Sequence, residues 1–382
     1  MRKAFKYRLY PTREQTACLE HQLSEARTLY NAALQERRDA WRMQGKSLNY
    51  YDQAAQLKEI RDAGNLNLAN FSACQDVLRR VDRTFKAFFR RIKAGEKAGY
   101  PRFKSRDRFD SYTFPAWGDG CHITSAGRLK IQGVGIVKVK VHRPIGGEIK
   151  TLTLKREAGK WYACFSIVSE TVPGNPPPEA IGIDVGLSSF AALSTGELVE
   201  NPRNLKVGLA KLRRVQRKVA RCKKGSNGRR KAVRLLQKAH VHIRNQRSDF
   251  QHKLSRTLIN QYGLIAVEDF NIKALSKSML ARSVGDAAWG SFLAKLAYKA
   301  EEAGALLVRV NPNGTSQVCS QCGCLPDVPK TLADRVHFCP HCGLTLDRDV
   351  NAARNILRLG LSLAPVTWHS GACVDAEAVY FS

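Results

Sequence analysis

The sequence predicts a multidomain protein of α+β and α/β class: a small β-barrel with an inserted helical lobe, then an α/β domain interrupted by a zinc ribbon. Three observations carry this. Short strand-like segments flank a helical stretch ahead of the cluster Pro173, Pro176, Pro177 and Pro178. Beyond that cluster, apolar strands carry single carboxylates, and two Cys-x2-Cys pairs follow. At 382 residues the chain exceeds one ordinary core and suits two or three domains.

Residues 4–10 read as a short strand. Thr12 and Gln15 then form a capping box that starts a helix after Pro11. Leu19, Leu23, Ala26, Leu29 and Ala33 recur at helical spacing as far as about residue 42. A second helix is predicted over 52–61 and a third over 71–92, with Val77, Val81, Phe85, Phe88 and Ile92 as its buried stripe. The other face of the third helix carries Arg79, Arg80, Arg83, Lys86, Arg90 and Arg91, with only Asp76 and Asp82 interleaved. That excess favours a phosphate-facing surface over one that serves solubility alone. Gly99-Tyr100-Pro101-Arg102-Phe103-Lys104 ends the helix and leads into strands predicted over 128–131, 135–141, 149–156 and 161–168. The barrel is expected over 1–10 and 105–172, the helical insertion over 11–104, and a proline-stiffened linker over 173–179.

Ile181-Gly182-Ile183-Asp184-Val185-Gly186-Leu187 is an apolar strand with a carboxylate in its middle, and 188–193 can pair with it as a hairpin. A second apolar strand, 264–267, ends in Glu268-Asp269; a third spans 306–310. A helix predicted over 347–356 opens with Asp347 and Asp349. Taken singly, Asp184 reads as a turn residue beside Gly186, and Glu268 as a strand terminator. Jointly they read differently. An ionised Asp among Ile and Val is costly unless a cation compensates it. Carboxylates on separate strands plus one on a helix are what a two-Mg2+ site for phosphodiester cleavage needs, because Mg2+ takes hard oxygen ligands.

From 203 to 247 there are 17 Lys/Arg and no Asp or Glu. Leu205, Leu209, Leu212, Val215 and Val219 mark one helix, and Val233, Leu236, Ile243, Phe250 and Leu254 another, with the turn at 223–230. The predicted hairpin has an apolar inner face and a basic outer face. Arg213, Arg214, Arg217, Lys223, Lys224, Arg229 and Arg230 are its expected polyanion contacts. Further on, Cys319-x2-Cys322-x16-Cys339-x2-Cys342 has four-thiolate zinc spacing, and Gly323 and Gly343 follow each pair where a knuckle turn wants a residue free of Cβ strain. A closed four-cysteine site leaves no open coordination position, so this Zn2+ is expected to be structural. Cys324, His337 and His341 are read as bystanders.

The surplus of 63 Lys+Arg over 33 Asp+Glu gives a net charge of +30 and a pI near 10.0. Nucleic acid is the default partner for such a body. No amphipathic anchor, lipidation signal, leader or membrane span is legible, so the expectation is the cytoplasm or nucleoid of a prokaryote, with no membrane partner. The 11 cysteines form one cluster and scattered singles, which speaks against a disulfide framework.

These motifs together resemble the TnpB/OrfB family of transposon-encoded RNA-guided DNA endonucleases, compact relatives of type V CRISPR effectors. The resemblance runs from Arg8-Leu9-Tyr10-Pro11 to about residue 359. It is most specific at Gly182-Ile183-Asp184-Val185-Gly186, Val267-Glu268-Asp269, the paired knuckles, and Asp347-Arg348-Asp349-x-Asn351-Ala352-Ala353-x-Asn355. It implies a wedge barrel with a helical recognition lobe, and an RNase H-like (RuvC) nuclease domain over 180–313 and 347–360 with the zinc ribbon inserted at 314–346. It implies that Asp184, Glu268 and Asp349 are the catalytic, Mg2+-holding acids. Asp349 is preferred to Asp347 by the Asp-x-Asn-Ala-Ala register, and Asp269 is the weaker twin of Glu268. A guide RNA from the transposon end, a double-stranded DNA target and a short target-adjacent motif follow from the same likeness, with a monomer holding one RNA. Tyr50 and Gln75 are similar to positions that read this motif. Arg79, Arg83, Lys86, Arg90, Arg102 and Lys104 join the hairpin residues as expected nucleic-acid contacts. The tail 361–382 carries no such motif and is expected to be flexible.

Two other readings use the same residues. A DDE-type transposase would join strands with a 3′-hydroxyl where a nuclease leaves free ends. A non-catalytic binding regulator would be indifferent to Asp184→Ala.

Overall fold

The computed structural model describes every residue except Met1, 171–173, 271–274, 276–278, 327, 332 and 366–382. Pro173 of the expected linker and most of the expected flexible tail lie outside the described residues. The chain divides into two compact units, Met1–Glu170 and Thr171–Ser382.

In the first unit, β1 (Arg2–Tyr10) is followed by α1 (Arg13–Gln44), α2 (Tyr50–Ala55), α3 (Leu57–Asp62) and α4 (Phe71–Lys93). The strands β2 (Ser111–Phe114), β3 (Cys121–Ile123), β4 (Leu129–Ile131), β5 (Gly135–Lys140), β6 (Glu148–Glu157) and β7 (Lys160–Val168) come after. They form one barrel-like antiparallel sheet in the order β2-β6-β7-β1-β5-β4-β3. The N-terminal strand is therefore central, pairing Leu9 with both Trp161 of β7 and Val139 of β5. Tyr7 and Leu9 point into the core while their neighbours face outward, the period of two expected of a half-buried strand. The four helices lie in sequence between β1 and β2, as an insertion.

α1 opens with the expected capping box: Gln15 N donates to Thr12 Oγ1, and Thr12 N to Gln15 Oε1. Its stripe of Leu19, Leu23, Ala26, Leu29 and Ala33 is buried. The single helix expected over 52–61 is instead two short ones that meet at Gln56, with Leu57 fully buried just past the break. Ile92, expected on the buried stripe of α4, is 50% exposed, like the rest of the helix's last turn. β2 and β3 are too short for alternation to reveal them in the sequence.

In the second unit, a five-stranded sheet runs in the order β10-β9-β8-β11-β12. Its members are β8 (Ala180–Val185), β9 (Ser189–Leu193), β10 (Leu198–Glu200), β11 (Leu264–Glu268) and β12 (Leu306–Val310). β8, β11 and β12 are mutually parallel; β9 is antiparallel to both β8 and β10, so it alone runs against the other four. The helices are α5 (Asn204–Arg221), α6 (Asn227–Gln261), α7 (Ala281–Ala287), α8 (Trp289–Ala303) and α9 (Arg348–Ser362), and the small hairpin β13 (Val336–Phe338) and β14 (Thr345–Asp347) belongs to the cysteine region. Ile181, Ile183, Ile265 and Val267 face one core together with Leu258, Phe292 and Leu296 from α6 and α8. Leu264 and Ala266 face the opposite core with Ile356 of α9. No helix among the described residues is long and apolar enough to cross a membrane.

Candidate active site and metal centre

The strand period decides where the acids go. Residues 181, 183 and 185 of β8 face the α6–α8 core, so Gly182 and Asp184 face α9. The same alternation in β11 turns Ala266 and Glu268 toward α9. The parallel register that pairs Val267 with Ile183 brings Glu268 and Asp184 side by side at the carboxyl ends of the two strands. α9 starts at this edge, and Asp349 lies in its first turn. It can lie so close because Gly182 has no side chain: a Cβ there would sit 2.1 Å from Ala353 O and 2.7 Å from Leu357 N. Three carboxylates from three elements thus line one cavity of about 790 Å3, at the strand ends where open α/β sheets place ligands.

Arg203, Lys206, Arg335 and Arg348 line the same cavity as these acids. Burial, then Glu268 and Asp349, push the Asp184 carboxyl well above its ordinary range, with Arg348 opposing. Burial also raises Glu268, against a hydrogen bond from the Thr315 hydroxyl. Arg348 Nη2 lies 3.5 Å from Asp349 Oδ1. Asp347 does not join the three: its carboxylate caps α9, accepting from Asp349 N at 2.8 Å and Val350 N at 3.2 Å. Asp269 is turned outward, paired with Arg309 at 3.0 Å. Carboxylates gathered in one cavity, with Asp184 raised by burial and by its two neighbours, are a donor set suited to a hard divalent cation.

The cavity holds residues that sequence reasoning missed. Asp286, on α7, accepts from Leu205 N at 3.0 Å with both oxygens and pairs with Arg247 at 3.0 Å, tying the start of α5 to α6. Nothing in its sequence surroundings sets it apart from a surface acid. Thr315 carried no signal either, since a lone hydroxyl before the cysteines is indistinguishable from a turn residue.

The four cysteines converge. Cys319 Sγ lies 3.7 Å from Cys342 Sγ, and Cys322 Sγ 3.5 Å from Cys339 Sγ, with all four sulfurs within 4.8 Å of one another. A tetrahedral ion with Zn–S bonds of about 2.3 Å needs sulfur–sulfur edges of about 3.8 Å. The set can hold a structural Zn2+. Gly323 and Gly343 take the left-handed φ of +76° and +73° that the knuckle turns require. Cys324 and His341 stay outside the sulfur group, as does the buried His337, which packs against Lys330 Nζ.

Comparison with known proteins supplies the family. Residues 164–279 match a family model described as "Probable transposase", 289–356 one described as "Cas12f1-like, TNB domain", and 1–46 one described as "Helix-turn-helix domain". A Streptomyces pristinaespiralis protein named "Putative RNA-guided DNA endonuclease" is 35% identical over 95% of this chain and 90% of its own length. The chain belongs to the TnpB/OrfB family. The Escherichia coli K12 member named "Putative RNA-guided DNA endonuclease InsQ" is 30% identical over 94% of this chain and 92% of its own. The solved structure of a Cas12f1–sgRNA–target DNA complex superposes with a TM-score of 0.58 at 15% identity, covering 93% of this chain and 98% of that one. The likeness in fold supports the compact Cas12-like architecture.

The basic residues of this TnpB-family chain divide into outward and inward groups. Arg213, Arg214, Arg217, Lys223, Lys224 and Arg230 are exposed on the α5–α6 hairpin. Arg229 turns inward and donates to Val219 O at 2.7 Å and Cys222 O at 3.3 Å, closing the hairpin. On α4, Arg79 and Arg90 are exposed. Arg83 pairs with Asp76 at 3.1 Å and Lys86 with Asp82 at 2.9 Å, so the two acids offset part of that face. Arg80 serves the fold, bonding Ser111 O and Thr113 Oγ1 of β2. Arg79 lies over the Tyr50 ring at 5.1 Å, and Gln75 stands one helical turn from Arg79. Arg102 is exposed, while Lys104 is half-buried near the Tyr30 ring.

Proposed function

We propose that this chain is an RNA-guided, Mg2+-dependent DNA endonuclease of insertion-sequence origin, with a single RuvC-like active site formed by Asp184, Glu268 and Asp349. The observation that carries the reading is the convergence of these three carboxylates, from β8, β11 and α9, on one cavity. The strand order β10-β9-β8-β11-β12, in which β9 alone runs against the other four, supports an RNase H-like domain. The names of the relatives support the activity, and the Cas12f1 complex, solved with sgRNA and target DNA, supports RNA and DNA as partners.

Asp184, Glu268 and Asp349 would hold Mg2+, which supplies activation of water and charge stabilisation at the phosphodiester. The chain's own residues do the rest. Arg203 and Lys206 at the cavity rim draw in the phosphate, and Arg348 pairs with Asp349. The exposed bases of the α5–α6 hairpin and of α4 follow the guide RNA and its heteroduplex with the target. Their recognition of it is by charge and shape, so base pairing carries the sequence information. Tyr50, Gln75 and Arg79, grouped on one face, read the short motif beside the target. The barrel of 1–10 and 105–172 acts as the wedge, the helices of 11–104 as the recognition lobe, and 314–346 as the zinc ribbon within the nuclease domain of 180–313 and 347–360. The protein works as a monomer with one transposon-encoded RNA, in the cytoplasm or nucleoid.

The test is to sequence RNA that co-purifies with the chain, then assay guide-matched plasmid cleavage with Mg2+ beside Asp184→Ala. Discrete RNA and free-ended cuts lost in the variant are expected. Joined strands would point to a transposase, and indifference to Asp184 would point to a binding protein.

A further inference from the structure

A chain of buried and part-buried hydrogen bonds links Glu268 to the first knuckle. Thr315, 4% exposed, donates its hydroxyl to Glu268 Oε1. The Thr315 carbonyl accepts from Asn355 Nδ2 at 2.9 Å, and the same amide reaches Val318 O at 2.8 Å. Asn351, one turn earlier on α9, donates to Val318 O at 2.7 Å and accepts from Ser320 N at 2.8 Å. Val318 and Ser320 flank Cys319, the first of the four thiols. Both asparagines are buried, so a lost partner would leave an uncompensated amide, and these bonds fix the 315–320 loop on α9. The far side of the insertion makes a second tie. Arg348 donates from Nη1 to Thr331 O at 2.8 Å, while its Nη2 faces Asp349.

We propose that the zinc-bound first knuckle sets the position of Glu268 through Thr315, which makes Thr315 a positioning residue for the cation-dependent reaction. The inference rests on the catalytic reading of Glu268 given above. A carboxylate that ligates a cation is oriented by the donor on its other oxygen, and such donors are worth roughly 10–100-fold in metal affinity. Thr315 is the described residue that donates to Glu268. The Thr315 hydroxyl has one proton and two acceptors in reach, Glu268 Oε1 and Pro312 O at 3.0 Å. The carboxylate is nearer and charged, and takes the stronger bond.

Mn2+ binding to the full chain, followed by loss of the free-ion electron paramagnetic resonance signal, tests this in wild type, Thr315→Val, Thr315→Ser and Glu268→Gln. Zinc content is measured alongside. Thr315→Val is expected to weaken Mn2+ binding roughly 10–100-fold with zinc retained, and Thr315→Ser to restore it. Wild-type binding in Thr315→Val, with binding lost in Glu268→Gln, overturns the inference and leaves the proposed function standing. A weakening that Thr315→Ser does not restore, or that comes with loss of zinc, assigns Thr315 to folding and also overturns it. Mn2+ binding indifferent to Glu268→Gln overturns both readings.

Discussion

A Cβ on Gly182 would meet the carbonyl oxygen of Ala353 at 2.1 Å, and that oxygen is backbone, with no side chain to swing aside. The strand and the helix can therefore separate but not repack. Gly182→Ala is expected to cost about 1–3 kcal/mol of stability, the usual range for overpacking, and to draw Asp349 away from Asp184. Denaturant unfolding measures the first effect and cleavage the second. A variant of wild-type stability would show that α9 is free to shift.

Asp184→Asn separates activity from stability. Burial and the neighbouring acids raise the native pKa, so between the unfolded value and the raised native value the folded state binds more protons, and stability falls as pH rises. The variant should therefore cut no DNA, yet melt higher than wild type at neutral pH in chelator. That advantage should shrink as pH falls to the ordinary carboxylate range. Melting scans across pH check it.

Lys299 of α8 has the opposite sign. Burial, then Arg256 and Lys295, lower its pKa to about 8, while its ammonium donates to His252 O and Ser255 Oγ. From there up to the unfolded value of 10.5 the unfolded state binds more protons, so this group's contribution to stability rises with pH. Wild type is expected to gain stability relative to Lys299→Met across that window. Parallel curves would refute the assignment.

Removing zinc should be a folding event. Four thiols within 4.8 Å repel once ionised, and without an ion the two knuckles lose the centre that joins them. Bound zinc of one per chain, and a lowered melting transition after chelation or in Cys339→Ser, are the expected results of metal analysis and calorimetry.

Arg214→Gln and Arg229→Gln should differ in kind. Arg214 is exposed, so its loss should weaken RNA binding and flatten the dependence of log K on log salt by up to about 0.7–0.9. Arg229 closes the hairpin on Val219 O, so its loss should lower stability first. Binding titrations at several salt concentrations, paired with melts, distinguish them.

Much of this protein is legible in its sequence because much of it is set by local pattern. An acid inside Ile181–Val185, cysteine pairs followed by glycine, a capping box at Thr12 and an acid-free basic run each state their chemistry within a few residues. The strands β2, β3 and β10 escape because three or four residues hold no readable period.

What only the tertiary structure decided is direction. Glu268 and Asp269 are adjacent, and only the packing of β11 turns the first into the cavity and leaves the second to Arg309. Arg80 and Arg229 look like their basic neighbours in sequence, yet a carbonyl within reach draws each inward. Asp286 and Thr315 enter the site through contacts across 81 and 47 residues of chain. Sequence determines which residue types and periods are present; which face each side chain takes is settled by what packs against it, and that partner is usually far along the chain.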